Sequence, residues 1–274
     1  MSSKTLYTSP AKVWTDAQPL GNGSIGAMVY GRVKNETISL NHDTLWSGVP
    51  EEKKTEDKYA AFTETRDAAL AEDYKKAQKL AYGCMGSPVA MYLPFGDLEL
   101  HFDIEIECEN YTRTLDLEKA LLTVAFSQNG VHYKREYFLS FPDDVLVIKL
   151  SADKREKISF SASFTSLMKH EVSKDGDMLI LDGECPGRSW VDNETWEKKH
   201  IYFQNPEKRG VQFRGGFKIT PENGSCRFEE DKAVVENADS ATLVLSIKTS
   251  FKGYDKNPCI DGKEYKKALA DTLC

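Results

Sequence analysis

The chain has 274 residues, is 40% apolar, and balances 36 basic against 43 acidic side chains for a net charge of −7. That length and apolar content can fill a large core, in one big β domain or two smaller ones. The mild acidity without a basic stripe argues against a nucleic-acid partner, and no apolar run is long enough to span a membrane.

The opening MSSKTLYTSPAKVW lacks the apolar segment of a secretory signal, so a cytoplasmic location is expected. Cys84, Cys108, Cys185, Cys226, Cys259 and Cys274 include no C-x-x-C pair and are expected to be reduced packing residues. The sequons at Asn35, Asn110, Asn193 and Asn223 carry no weight without a secretion signal.

Residues 14–50 are the most informative stretch. Gly21, Gly23 and Gly26 spell G-x-G-x-x-G. A dinucleotide loop needs a buried strand before that motif and a helix after it. Here Thr15-Asp16-Ala17-Gln18-Pro19 is not an apolar strand. Downstream, Met28, Tyr30 and Arg32 share one parity, and Ala27, Val29 and Val33 the other. Lys34-Asn35 can turn the chain, and Ile38 and Leu40 then alternate with Thr37 and Ser39. The pattern is strand, turn, strand. No nucleotide cofactor is expected, and the glycines serve positive φ and close packing at a sheet entry.

After the charged stretch 51–58, the three- and four-residue recurrence of Tyr59, Phe62, Leu70, Tyr74, Ala77 and Leu80 predicts a helical insertion near 56–83. Glu72-Asp73 can break it in two, and Gly83 with Gly86-Ser87-Pro88 ends it. Strands follow. Leu98, Leu100 and Phe102 alternate with polar residues, as do Ile104, Ile106 and Cys108. Asn129-Gly130 joins 121–127 to 131–139 as a hairpin. The apolar run 145–150 reads as a central strand, and further strands fall at 158–164, 178–181, 211–219, 233–235 and 241–247. Residues 185–210 lack periodicity and read as a long surface loop or insertion. A helix starts at 264–274 with Tyr265, Leu269 and Leu273. The fold class is therefore mostly β: a large two-sheet antiparallel β-sandwich with a short helical insertion.

Chemistry-bearing residues are sparse. His42, His101, His132, His170 and His200 lie far apart, without a Cys or His at ligand spacing, so no metal and no cofactor are expected. No G-x-S-x-G elbow is present. Among 43 carboxylates no catalytic pair can be nominated; Asp97 and Glu99 read as a solvated pair, and Asp143-Asp144 as turn residues after Pro142. The best functional candidate is the loop from Asn41 to Gly48. Asn41, His42, Asp43 and Thr44 offer hydrogen-bonding groups beside Trp46, the combination that binds sugar hydroxyls and C–H faces. The alternative is that Asp43 and Thr44 cap a turn while Trp46 packs into the sandwich or into a further domain outside this chain. Trp190 and Trp196 are candidates for a secondary sugar platform.

The stretch Trp14–Pro50 resembles the N-terminal domain of glycoside hydrolase family 95, the α-L-fucosidases. The resemblance rests on the Pro19-Leu20-Gly21-Asn22-Gly23 entry, Gly26-Ala27-Met28-Val29-Tyr30-Gly31, and Leu40-Asn41-His42-Asp43-Thr44-Leu45-Trp46-Ser47-Gly48. It continues through Tyr92-Leu93-Pro94-Phe95-Gly96-Asp97-Leu98, Tyr111–Leu117 and Tyr133–Ser140. It implies a sandwich of the supersandwich type over 1–260, the start of a linker helix over 261–274, and a catalytic (α/α)6 barrel absent from this chain. It also implies inverting hydrolysis of terminal α-L-fucosyl linkages by that barrel, with a fucosylated oligosaccharide as the parent's substrate. L-fucose and L-galactose remain open as the preferred sugar. No catalytic residue carries over, and these 274 residues alone are expected to be inactive. The alternative function is a stand-alone carbohydrate-binding sandwich.

Overall fold

The computed structural model describes residues 3–50, 58–85, 90–192 and 195–274. The charged stretch 51–57, the Gly86-Ser87-Pro88 stop and the Asn193 sequon lie outside the described residues. In chain order the first elements are β1 (Lys4–Tyr7), β2 (Gln18–Gly21), β3 (Ile25–Val29) and β4 (Asn35–His42), then α1 (Tyr59–Leu70) and α2 (Tyr74–Cys84). Next come β5 (Gly96–Phe102), β6 (Glu109–Asp116), β7 (Leu121–Gln128), β8 (Val131–Ser140), β9 (Val145–Ala152) and β10 (Ile158–Thr165). Then follow β11 (Lys169–Asp175), β12 (Met178–Glu184), β13 (Arg188–Val191), β14 (Lys198–Ile201) and β15 (Gln212–Glu222). The last are β16 (Ser225–Phe228), β17 (Lys232–Ala238), β18 (Ser240–Thr249) and α3 (Tyr265–Leu273).

Among the described residues the strands form two large antiparallel sheets. One has nine strands in the order β1-β6-β7-β8-β9-β18-β15-β12-β11, and the other seven in the order β16-β17-β10-β5-β4-β3-β2. A separate two-stranded ribbon pairs β13 with β14. Alternation decides which side chains face inward. Leu98, Leu100 and Phe102 of β5 register with Phe164, Ala162 and Phe160 of β10. These meet Leu122, Val124 and Phe126 of β7 and Leu243, Leu245 and Ile247 of β18 in one buried cluster. Aromatic edges interlock the layers: Phe164 and Phe217 have ring centroids 5.1 Å apart, and Phe95 and Phe213 5.5 Å. Each such side chain contributes about 1.5–3 kcal/mol on burial.

The Asn129-Gly130 hairpin forms as read, both residues at positive φ (50° and 69°), the backbone that a two-residue turn between twisted strands requires. The run 145–150 is apolar because β9 is covered twice. Leu146, Ile148 and Leu150 face the core, while Val145 and Val147 lie under Leu269 and Leu273 of α3 on the outer side. The helical insertion is two helices, broken where Glu72 turns at φ 60° and Asp73 caps α2 by accepting the Lys76 N–H at 3.1 Å.

Three sequence expectations need correction. Residues 104–108 are not a strand, despite their alternation. The Gln128 side chain takes the place of a strand partner, donating to the carbonyls of Glu105 and Glu107 and accepting the Glu105 N–H. Residues 185–210, read as a long surface loop or insertion, are an insertion with structure of its own, the β13–β14 ribbon, rather than a loop alone. Of the three motif glycines only Gly23 uses a positive φ, at 98°, while Gly21 and Gly26 are a regular cross-strand pair.

One polar cluster sits between the sheets. The β3–β4 connection folds inward, and side chains from the opposite sheet satisfy its carbonyls. Tyr111 donates to Gly31 at 2.5 Å, Arg113 to Tyr30 at 3.2 Å, and Arg135 to Arg32 and Val33 at 2.7 and 2.5 Å. Glu36 of β4 is fully enclosed there; its Oε1 accepts the Gly31 N–H at 2.9 Å, whereas Oε2 has no hydrogen-bond partner.

Candidate functional site

The candidate loop begins where β4 ends, and register puts the glycine loop beside it. Ile25 pairs with His42, and the Asp43 N–H donates to the Ser24 carbonyl at 3.0 Å. Asn22 explains the G-N-G spelling. Its Oδ1 accepts the N–H groups of Ser24 and Ile25, and its Nδ2 donates to the Ser140 carbonyl and to Asp144 on the opposite sheet at 3.0 and 2.9 Å. Asp144 in turn meets Lys248 at 2.5 Å. The two sheets are thus tied at the end where the loop emerges.

His42 is buried beneath the loop. Its Nδ1 lies 2.9 Å from the Thr44 hydroxyl, 3.3 Å from the Thr44 N–H and 2.9 Å from an Asp43 carboxylate oxygen. Burial holds its pKa below the ordinary 6.5, against the opposing pull of Asp43 and Asp144. The ring is therefore neutral at pH 7, and the contact with Asp43 is not an ion pair there. Thr44 also meets the Thr249 hydroxyl at the end of β18 at 2.6 Å.

The aromatic part of the loop faces outward. Trp46 and Tyr92 form a tilted pair, centroids 4.9 Å apart at 43°, and are 43% and 44% exposed. Their polar tips are consumed by the loop backbone. The indole N–H donates to the Asp43 carbonyl at 2.9 Å and the phenol to the His42 carbonyl at 3.2 Å. What remains to solvent is ring surface beside Asp43, whose side chain is 56% exposed, and the half-buried Asn41. Such a patch can stack on the C–H face of a sugar while the carboxylate accepts hydroxyls.

Within this loop the Thr44 N–H and hydroxyl meet the His42 ring, and Trp46 stays 43% exposed rather than packing into the sandwich. The sequence missed Tyr92, which returns from the helical excursion to bridge Trp46, and the Asn22–Asp144–Lys248 support beneath. A signal for Tyr92 was present in the stretch 92–98 that carried the family resemblance.

The structure places Trp190 on β13, with the Arg188 guanidinium 5.6 Å from its ring centroid, and Trp196 in the ribbon's turn, 80% exposed. Among the described residues no ring contact joins them to each other or to Trp46. The ribbon's neck is fastened to the candidate loop, the Gly48 N–H donating to the Pro186 carbonyl at 2.9 Å.

A cavity of about 140 Å³ at the sandwich edge is lined by residues such as Pro19, Leu115 and Leu139, with no carboxylate. Glu36, the carboxyl that burial pushes up to about 7, is sealed from substrate. Among the described residues no three metal-ligating side chains converge, and no helix is long and apolar enough to cross a membrane.

Residues 6–254 match the family model described as "Glycosyl hydrolase family 65, N-terminal domain". The chain belongs to this family. The glycosyl hydrolase N-terminal domain is also 33% identical over 260 residues to alpha-L-fucosidase 2 of Arabidopsis thaliana, covering 91% of this chain and 30% of that protein. It is 28% identical over 262 residues to probable alpha-fucosidase A of Aspergillus oryzae, covering 92% of this chain and 34% of that one. The chain thus spans about a third of the length of these relatives, and the resemblance to fucosidase N-terminal domains is borne out. A putative kojibiose phosphorylase from the human microbiome shares the fold, with a TM-score of 0.52 at 10% identity over 100% of this chain and 36% of that one.

Proposed function

We propose that these residues are the non-catalytic N-terminal domain of an α-L-fucosidase-type glycoside hydrolase, and that the loop Asn41–Gly48 forms one wall of its sugar site. Hydrolysis of terminal α-L-fucosyl linkages, with inversion, belongs to polypeptide beyond this chain, which the sandwich supports as its partner. Inversion needs an acid and a base about 6.5–9.5 Å apart on opposite faces of the sugar, and this end of the sandwich supplies only a platform. The observation that carries the reading is the Trp46–Tyr92 pair, whose polar tips are occupied and whose ring faces are open. Fucosidase-named relatives about three times as long supply the reaction class.

The test is kinetic. In the full-length enzyme, Trp46→Ala or Tyr92→Ala is expected to raise KM for a chromogenic α-L-fucoside about tenfold, the worth of a stacking contact of about 1.4 kcal/mol, measured at a temperature where the variant is folded. Unchanged kinetics in a folded variant would sink the wall. The isolated 274-residue chain is expected to show no turnover; turnover would place the chemistry here. The exposed platform also suits a stand-alone carbohydrate-binding module, and for that reading the isolated chain must bind L-fucose on its own.

A further inference from the structure

Two glycines of the G-x-G-x-x-G stretch have no task inside this fold. Gly21 and Gly26 face each other across β2 and β3, and neither has a positive φ. A Cβ on Gly26 would meet nothing within 4 Å, and one on Gly21 only the Ile25 carbonyl, at an ordinary 3.7 Å. The other glycines of the described chain, Gly83 of α2 excepted, either hold a positive φ or would drive a Cβ to within 3 Å of a neighbour. Glycine is a poor strand residue, because it loses the most backbone freedom on folding and packs nothing. A cross-strand pair of glycines with free space above both therefore weakens the hairpin, with no compensating contact in this chain.

Register places the pair. Alternation turns Leu20, Ile25 and Ala27 into the core and leaves Gly21, Gly26 and Asn41 facing outward, with Gly26 paired to Asn41 on its other side. The three residues form the last outward row of β2, β3 and β4, two strand spacings or about 10 Å long. The row before it is different, because there Met28 packs against Ala11, Ala17 and Tyr30. Cover by the chain's own residues thus stops one row short of the glycines. At its β4 end the row reaches the aromatic platform. Asn41 accepts the His42 N–H at 2.8 Å and is a hydrogen-bonding neighbour of the Tyr92 phenol, whose ring pairs with Trp46. A strip without side chains therefore leads away from the Trp46–Tyr92 pair.

We propose that the strip formed by Gly21, Gly26 and Asn41 is a subsite for the sugar residue that carries the fucosyl group, an inference that rests on this chain being part of a fucosidase-type sugar site. Glycine within a strand lets a ligand approach the backbone closely. A pyranose ring can lie flat on the two Cα–H groups, where any side chain would hold it off, and the Asn41 amide adds donors for its hydroxyls. Flatness and continuity with the platform choose a sugar over a protein partner, since protein partners anchor large side chains in well-packed pockets and a Cβ over Gly26 meets no wall at all.

Gly26→Thr in the full-length enzyme puts a branched side chain on the strip without altering Trp46 or Tyr92. The variant is expected to melt at or above the wild-type Tm, because threonine favours strands and the space is open. KM for a fucosylated oligosaccharide should rise about tenfold, whereas KM for α-L-fucosyl fluoride, which has no second sugar, should stay within about twofold. Equal changes for both substrates overturn the subsite, as does no change for either. A lowered Tm overturns it too, by showing that glycine serves the fold. Failure here is separable from failure of the wall, because Trp46→Ala must weaken both substrates. An effect of Gly26→Thr confined to the oligosaccharide, with unaltered Trp46→Ala kinetics, sinks only the wall, and the converse sinks only the subsite. A full-length wild type that hydrolyses neither compound refutes the fucosidase reading and the subsite with it.

Discussion

Glu36 makes the stability of this sandwich depend on pH, in a direction opposite to that of most carboxylates. Its side chain is 0% exposed, one oxygen accepts the Gly31 N–H, and the other lacks a hydrogen bond. Arg135 comes within 4.0 Å, a nominal ion pair. That guanidinium spends its short hydrogen bonds on the carbonyls of Arg32 and Val33, and it stacks 3.6 Å from the Phe102 centroid. At 4.0 Å its charge offsets only part of the cost of burial, so desolvation wins and the carboxyl rises from 4.5 to about 7. A carboxyl with a raised folded pKa gives stability that is complete below its unfolded value and is lost as pH climbs through the folded one. The window therefore runs from about pH 4.5 to about 7, and the loss across it is about 3 kcal/mol. Urea denaturation of the wild type and Glu36→Gln at intervals from pH 4 to 8 reads it. The neutral amide cannot ionise, so the difference between the two proteins should shift by about 3 kcal/mol in favour of the variant as pH rises. A difference that is flat across the window would show Glu36 to be a fully paired carboxylate and refute the reasoning.

Further outcomes are expected elsewhere. Gly31→Ala should destabilise by more than about 3 kcal/mol in thermal melts, because φ is 71° and the new Cβ would lie 2.6 Å from the Tyr111 hydroxyl. Gly23→Ala, at φ 98° with nothing within 4 Å, should cost only about 1–2 kcal/mol from backbone strain; equal losses would contradict the contrast. Arg214 grips Asp182 with two hydrogen bonds at 2.8 and 2.5 Å, and Lys266 of α3 reaches the same carboxylate at 3.6 Å. Arg214→Ala should therefore speed hydrogen exchange in α3 by about tenfold, with unchanged exchange refuting the link. Because burial lowers the pKa of His42 below 6.5, the neutral ring stabilises the fold above that pH and the benefit is lost as pH falls. His42→Gln should flatten the acid limb of the stability curve below about pH 6.5.

The strands were legible where one face is dry and the other wet. β5, β7 and β10 each alternate because they lie between a core and solvent. Alternation misled at 104–108, since whether a segment joins a sheet depends on finding a free edge, and Gln128 had already taken its backbone groups. It was silent for β11, Lys169–Asp175, an edge strand with Val172 as its one aliphatic side chain, held by pairing with β12. The helix pattern was right about the existence of α1 and α2; period reports which residues share a face, not which face is buried. The candidate loop was visible through its residue types, whereas Tyr92, 46 positions from Trp46 and joined to it across the helical excursion, required the return of the chain.

The same connectivity explains why a binding surface can be carried on a loop at this end. Residues 43–48 hydrogen-bond to Ser24 in the β2–β3 turn, to Met91 on the returning strand, to Pro186 at the ribbon's neck and to Thr249 at the end of β18. On the proposed reading, a platform held from four directions has little ordering entropy left to lose on docking a sugar, which favours affinity without large contact area. The Thr44–Thr249 hydroxyl pair is the anchor that can be cut without touching the platform itself. Thr249→Val removes a hydrogen bond worth about 1 kcal/mol, leaves Trp46 and Tyr92 in place, and lets the loop sample other positions. In the full-length enzyme it should raise KM a few-fold with kcat nearly constant, because a wall that must first be ordered weakens binding before chemistry. A fall in kcat at constant KM would mean instead that the loop tunes the reacting groups, and the platform account would have to be abandoned.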